Sequence, residues 1–298
     1  MRLVDGIVPT PYGLTDGAAT ARVYMWSMNT DDDRTRATGD STIELAERKA
    51  IVTGGASGIG KATAVALARA GAEVVVTDID EAGGASVADE VGGTFAMLDV
   101  SDPASWDRVV GTIGPFGIAF LNAGISTYQG LAPADVNPIV ALTDEAYHRI
   151  MSINLDGVVF GARAVLPGMI ARGSGDIVAT ASLAGVHPIS MDPIYGLTKH
   201  GVVGLVRSLA EHFASTPDSP DICVSALCPA FTDTNIVSDD MRALLGEFEI
   251  EIMPVERVVE VVMRMLAERK QGAQWLVEPG AEPYTWNWDT PKTFGHDD

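Results

Sequence analysis

The sequence predicts an α/β fold: a single domain of three layers, with one parallel sheet between helices on both faces. Three observations point there. Short apolar runs of strand length recur along the chain, and stretches of helical periodicity separate most of them. The runs are continuously apolar rather than alternating, as strands buried on both faces require. A glycine-rich turn joins the first run to the first helical stretch. With 298 residues, of which 47% are hydrophobic and 20% charged, the chain can bury a core of this size.

The elements follow in order. Residues 1–45 carry Pro9, Pro11 and the run Asp31-Asp32-Asp33-Arg34 without a sustained period. They are expected as a flexible or loosely docked extension, with Met25 or Met28 as alternative natural starts. The folded domain is expected over residues 46–280. Its first strand is Ala50-Ile51-Val52, running into Thr53-Gly54-Gly55. A helix from Gly58 to Ala70 follows, with Ile59, Ala62, Val65, Ala66 and Leu67 as its apolar face and Gly71 as its stop. Further strands are expected at Glu73–Asp78, Thr94–Leu98, Ile118–Leu121, Ile177–Ala181, Cys223–Leu227 and Gln274–Val277, about seven in all. Gly130 to Val140, with Pro133 and Pro138, looks like an insertion after the fourth strand. A long helix over Asp144–Ala171 starts after Thr143, a good N-cap, with Asp144 and Glu145 in its first turn. Residues 281–298 form a tail with Tyr284, Trp286, Trp288 and Phe294, expected to pack on its own core or on a neighbouring subunit, the alternative being a partly ordered end without function.

Charge narrows the function classes. The chain has 40 Asp+Glu against 20 Lys+Arg, a formal net charge of -20. Such a surface repels phosphate backbones and anionic lipid, so neither nucleic acid nor a membrane is expected as a partner. The two cysteines, Cys223 and Cys228, read as small core residues of a reducing compartment. No basic n-region with a sustained apolar run opens the sequence, and no run of about 18 apolar residues occurs, so a cytoplasmic location is expected. His148, His200, His212 and His296 have no partners at ligand spacing, so no metal is expected.

The chemistry-bearing residues come next. Thr53-Gly54-Gly55-Ala56-Ser57-Gly58-Ile59-Gly60 lies between a strand and a helix, where a tight turn needs glycine and a helix N-terminus offers free N–H groups. That placement suits a dinucleotide pyrophosphate. Asp78 ends the second strand 18 residues after Gly60, close to the usual offset of a carboxylate that binds ribose hydroxyls. A 2′-phosphate there meets a like charge; at ~4 Å and an effective dielectric of 20 the repulsion is ~4 kcal/mol per unit charge. No Arg or Lys stands in the turn or directly after Asp78, so NAD is favoured over NADP. The alternative for Asp78, with Asp80 and Glu81, is a cap on the next helix. Tyr195 and Lys199 are four residues apart on one helical face. A neighbouring ammonium lowers a phenol's pKa, which suits proton exchange with an alcohol. Ser182 ends the fifth strand and Asn122-Ala123-Gly124 the fourth, and ligands of open α/β sheets bind at the carboxyl ends of strands.

Taken together, Thr53–Gly60, Asp78, Asp99-Val100, Asn122-Ala123-Gly124, Asn154, Ser182, Tyr195-x-x-x-Lys199 and Cys228-Pro229-Ala230 resemble the short-chain dehydrogenase/reductase family, in its short branch. The resemblance covers about Glu44 to Gly280. It implies a Rossmann-type doubly wound sheet and an oxidoreductase that interconverts a secondary alcohol and a ketone. It implies catalytic roles for Asn154, Ser182, Tyr195 and Lys199, with a water held beside Lys199 by Asn154. Cofactor contacts are then expected from Gly54, Ser57, Gly58, Ile59, Gly60, Asp78, Ile79, Asp99, Val100, Asn122, Ala123, Gly124, Tyr195, Lys199, Pro229, Ala230, Thr232 and Thr234. The substrate pocket is expected around Ser182, His187, Met191 and Tyr195, with an apolar lid over Phe231 to Met253. Ala230 stands where the family usually has glycine, so the loop near the nicotinamide is expected to differ slightly. The family is usually dimeric or tetrameric, with Asp144–Ala171 and Tyr195–Ala214 at the interface and Gly157, Gly161, Ala162 and Ala164 permitting close packing. Two alternatives are an NADPH-dependent ketoreductase and a nucleotide-binding regulatory protein without chemistry.

Overall fold

The computed structural model describes residues 45–128 and 136–288. The extension at 1–44, most of the insertion after the fourth strand, and Phe294 in the tail lie outside them. The element order is β1 (Lys49–Thr53), α1 (Gly58–Arg69), β2 (Glu73–Asp78), α2 (Glu81–Val91), β3 (Thr94–Met97), α3 (Pro103–Ile113), β4 (Ile118–Leu121) and α4 (Pro138–Ala141). It continues through α5 (Asp144–Met151), a π-helical turn (Ser152–Asp156), α6 (Gly157–Arg172), β5 (Ser174–Thr180), a 3₁₀ turn (Leu183–Gly185), α7 (Pro193–Ser215) and β6 (Asp221–Pro229). It ends with α8 (Asp239–Glu247), α9 (Val255–Glu268), β7 (Gln274–Val277) and β8 (Tyr284–Thr285).

Among the described residues the sheet has eight strands in the order β3-β2-β1-β4-β5-β6-β7-β8. The first seven are parallel, as expected, and β8 pairs antiparallel with β7. All seven expected strands are present, and β8 adds an eighth. Two residues between turn-forming segments carry no periodicity, so only the pairing defines β8. The chain order reverses between β1 and β4, which opens a crevice at their carboxyl ends.

The apolar runs explain the layers. Val74, Val75 and Val76 of β2 are all buried, their side chains alternating between the two faces. One face packs with Trp106, Val158, Val165, Val202 and Val206 from α3, α6 and α7; the other packs with Ala64, Leu67, Val258 and Val262 from α1 and α9. Each large apolar side chain removed from water contributes about 1.5–3 kcal/mol. The buried face of α1 is Gly60, Thr63, Ala64 and Leu67. This shifts the expected face by part of a turn: α1 starts tight against the glycine turn, and Gly60 faces inward. Cys223 and Cys228 are buried core residues, as expected.

Asp144–Arg172 is a continuous helical span whose most apolar stretch has a mean hydropathy of 1.3, enough by length and composition to cross a membrane. Its α6 portion instead packs on α3, β4 and β5. A Cβ at Gly157 would lie 2.9 Å from Val100, and one at Gly161 would lie 2.7 Å from Leu121 and 2.8 Å from Trp106. Those small residues serve close packing inside this chain. The outward apolar residues on α6 and α7 are Val159, Ile170 and Leu197.

The tail joins the core. Trp286 N donates to Gln274 O at 2.8 Å, and Trp288 Nε1 donates to the Gln274 side chain. Arg207 lies 4.5 Å from the Trp288 ring centroid. Through Trp288 the tail packs on its own core, one of its expected settings.

Candidate active site

The glycine turn is built for close backbone approach. Gly54 has φ +64° and Gly58 has φ +52°, which favour glycine. A Cβ at Gly60 would sit 2.0 Å from Gly54 O, so only glycine allows α1 to start there. Ser57 N-caps α1 without a side-chain bond, and the first turn carries no acid. Its leading N–H groups are thereby left for an anion. Thr234 lies over the turn, 3.0 Å from where a Gly58 Cβ would be.

Asp78 ends β2 beside this turn. Its Oδ2 accepts from Ala56 N and its Oδ1 from Asp80 N, each at 3.0 Å. The cap on α2 is Asp80, which accepts from Gly83 N. The capping alternative for Asp78 is therefore corrected: this carboxylate is tied to the glycine turn. Ile79 next to it is 69% exposed. Asp99 follows β3 and accepts from Ser101 N at 2.9 Å, while Val100 is buried under Gly157. The uncapped helix start, the crowded glycines and a carboxylate at the second strand's end form a cradle that fits a dinucleotide.

Asn122 ties the strand ends together. Its Nδ2 donates to Thr53 O at 3.1 Å, and its Oδ1 accepts from Thr180 Oγ1 at 3.1 Å. Asn122 N and Ala123 N both donate to Thr53 Oγ1, at 2.8 and 3.1 Å. Lys199 Nζ donates to Thr180 O at 2.9 Å. A Cβ at Gly124 would lie 3.3 Å from Asn154 Oδ1 and 3.5 Å from Lys199 Nζ, which brings three expected site residues together.

Asn154 is fully buried inside the π-helical turn. Its Oδ1 accepts from Ile125 N and its Nδ2 donates to Ile125 O, each at 2.8 Å. Its Nδ2 also reaches Thr198 Oγ1 at 3.3 Å. What reads in sequence as a helix defect is a π-turn, a form found frequently at functional sites.

Ser182 N-caps the 3₁₀ turn, accepting from Ala184 N at 3.1 Å. Tyr195 and Lys199 project from the first turns of α7. Burial pushes the Tyr195 phenol up to about 12; a hydrogen bond with Ser182 pulls it down, while Asp192 and Cys228 push it up. Burial lowers Lys199 to about 8, with Cys228 acting the other way. Lys199 Nζ lies 5.5 Å from the Tyr195 ring centroid while donating to Thr180 O.

Two further residues expected at the pocket lie between the 3₁₀ turn and α7. His187 packs edge-on against Trp286 at 4.9 Å between ring centroids, which makes it a docking point for the tail. Met191 is exposed at 38% on the segment leading into α7. Pro229 is the last residue of β6 rather than a loop residue, and Ala230 N donates to Val277 O at 2.9 Å. Ala230 is not in the left-handed region, so its departure from glycine strains nothing. The expected lid, Phe231–Met253, is pinned at its base by Met253 N to Phe231 O and Asp233 N to Met253 O. Within it Val237, Leu245 and Met253 are buried, while Ile236 is 46% exposed. Thr232 is buried and its Oγ1 donates to Ala230 O.

Sequence reasoning missed Thr180, Thr198 and Asp192. Thr180 holds Asn122 and Lys199 in register, and Thr198 links Asn154 to Tyr195 O. Asp192 was findable: Asp followed by Pro193 is an N-cap followed by proline at the first helical position.

The sequence profile of short chain dehydrogenases matches residues 48–244. The 2-keto-3-deoxy-L-fuconate dehydrogenase of Xanthomonas campestris is 34% identical over 205 residues, 68% of this chain and 64% of that protein. The chain thus spans just under two thirds of that relative's length. A cyclohexanol dehydrogenase of an Acinetobacter species is 31% identical over 247 residues, 77% of this chain and 92% of that one. A short-chain type dehydrogenase/reductase from Mycobacterium marinum superposes with a TM-score of 0.69 at 28% identity, covering 80% of this chain and 96% of that one. The chain therefore belongs to the short-chain dehydrogenase family and is an NAD(P)-dependent oxidoreductase acting on CH–OH groups.

Proposed function

We propose that the protein interconverts a secondary alcohol and its ketone with NAD, using Tyr195 as the acid/base. The observation that carries this reading is the convergence of Ser182, Tyr195, Lys199 and Asn154 beside the glycine turn. Gly54, Ser57, Gly58, Ile59 and Gly60 would hold the pyrophosphate, and Asp78 the adenosine ribose. When bound, the nicotinamide supplies the hydride acceptor or donor and, oxidised, a positive charge. The Ser182 hydroxyl orients the alcohol oxygen against the phenol. Tyr195 takes the hydroxyl proton during oxidation and returns it during reduction. Lys199 and Asn154 carry that proton toward solvent through a water. The phenol's high starting pKa makes alcohol oxidation rise with pH.

Asp78 supports NAD over NADP through its charge and its bonds to Ala56 N and Asp80 N. The cyclohexanol dehydrogenase relative favours a cyclic secondary alcohol, and the exposed Met191 and Ile236 offer apolar surface for one. The reading includes a cytoplasmic homodimer or homotetramer assembled through α5, α6 and α7. The test is reduction of NAD+ and NADP+ by the purified protein against a panel of cyclic and acyclic secondary alcohols. Turnover with NAD+ well above NADP+ is expected. Turnover only with NADPH and ketones would establish the ketoreductase instead.

A further inference from the structure

We propose that Asp192 is a positioning residue for the acid/base step, joining the segment after β4 to the helix that carries Tyr195. The inference rests on Tyr195 being the acid/base. Asp192 precedes Pro193 and caps α7, its Oδ1 accepting from Tyr195 N at 3.0 Å. Its Oδ2 accepts from Thr127 N, also at 3.0 Å. A helix cap needs one acceptor, which Ser or Asn supplies equally well. Asp192 holds Thr127 from its other oxygen, and among the capping side chains only a carboxylate has two acceptor oxygens to divide between two partners in this way.

The segment it holds is fastened from other sides too. Asn154 brackets Ile125, and Arg149 Nη2 donates to Thr127 O at 3.4 Å. Ser126 Oγ donates to Tyr128 O at 2.6 Å, and Tyr128 donates from its hydroxyl to Pro138 O at 2.5 Å. Thr127 is 2% exposed, so this segment is packed into the fold rather than a free loop. One side chain thus ties the backbone of Tyr195 to the segment after β4.

The charge of Asp192 adds a second effect. It raises the phenols of both Tyr195 and Tyr128. Lys199 faces Tyr195 from the same helix and Cys228 from β6, while Arg149 approaches Asp192 from α5 through Thr127. By holding the proton on Tyr195 to higher pH, Asp192 favours the phenol as acid, which is the ketone-reducing direction.

The test compares wild type with Asp192→Asn, Asp192→Ala and Tyr195→Phe, using the best alcohol and its ketone across pH. Asp192→Asn keeps the cap and loses the charge and the second acceptor. Its oxidation profile is expected to move to lower pH, so that turnover at the acid end, relative to its plateau, rises at least about two-fold. Its KM is expected to rise several-fold. Asp192→Ala also loses the cap, and its kcat is expected to fall about ten-fold below that of the Asn variant. A pH profile for Asp192→Asn that overlays wild type, or an Ala variant as active as the Asn variant, would overturn the proposal. Full turnover in Tyr195→Phe would instead remove the reading beneath it.

Discussion

Gly60 and Lys199 show how single residues trade packing for chemistry. A methyl at Gly60 collides with Gly54 O, so Gly60→Ala must shift either the turn or the start of α1. Its affinity for NAD+ is expected to fall at least about ten-fold, measured by titration calorimetry; unchanged affinity would mean the turn does not hold the cofactor. Lys199 is 3% exposed, and burial holds its pKa at about 8. A lysine whose folded pKa is depressed binds fewer protons folded than unfolded, so its contribution to stability grows as pH rises through 8 toward the unfolded value. Near pH 7 its charge is a burden. Lys199→Met is therefore expected to be inactive yet to melt higher than wild type at pH 7, with the gap narrowing by pH 10. A gap independent of pH would show that Lys199 is not held at a depressed pKa. At this scale the glycine turn, Asp78, Asn122, Ser182, Tyr195 and Lys199 were legible, because each sits at a strand end or at helical spacing. Thr180 was not legible, since it acts through its carbonyl and hydroxyl across two strands, which no local pattern reveals.

The elements divide the same way. The parallel strands were readable from their apolar runs, and β1, β2, β4 and β7 stand where the pattern placed them, apart from a residue at β1's start. β5 and β6 begin earlier than expected, because their first residues, Ser174–Asp176 and Asp221-Ile222, include polar groups held by pairing and ion pairs rather than by apolar burial. β8 was invisible because its two residues depend on the open edge of β7 and on Trp286 and Trp288 beside it. Covering that edge removes a row of unpaired backbone groups. Trp286→Ala deletes the ring that meets His187 and is expected to destabilise the fold by about 2 kcal/mol. Urea unfolding checks this, and an unchanged midpoint would show that the tail contributes nothing to the fold.

Across the whole molecule, stability and chemistry occupy opposite edges of one sheet. The carboxyl edge gathers the glycine turn, Asp78, Asn122, Ser182 and α7. The amino edge is held by Asp176, 3% exposed, between Arg48 Nη2 at 2.5 Å and Arg269 Nε at 2.8 Å. Arg269 also reaches Asp221 at 2.5 Å, which joins the end of α9 to β6. Asp176→Ala leaves two guanidinium groups without their buried partner and is expected to destabilise the fold by about 3 kcal/mol while leaving NAD+ affinity unchanged. Equal losses of stability and affinity would show that the two edges are not separable. The central claim is that Tyr195 exchanges the proton of the reacting alcohol. The most direct measurement is turnover of Tyr195→Phe beside wild type with the best secondary alcohol, together with NAD+ binding by both. Loss of turnover to below a few per cent, with NAD+ affinity nearly intact, is the expected result. Retention of substantial turnover by the Phe variant would contradict it.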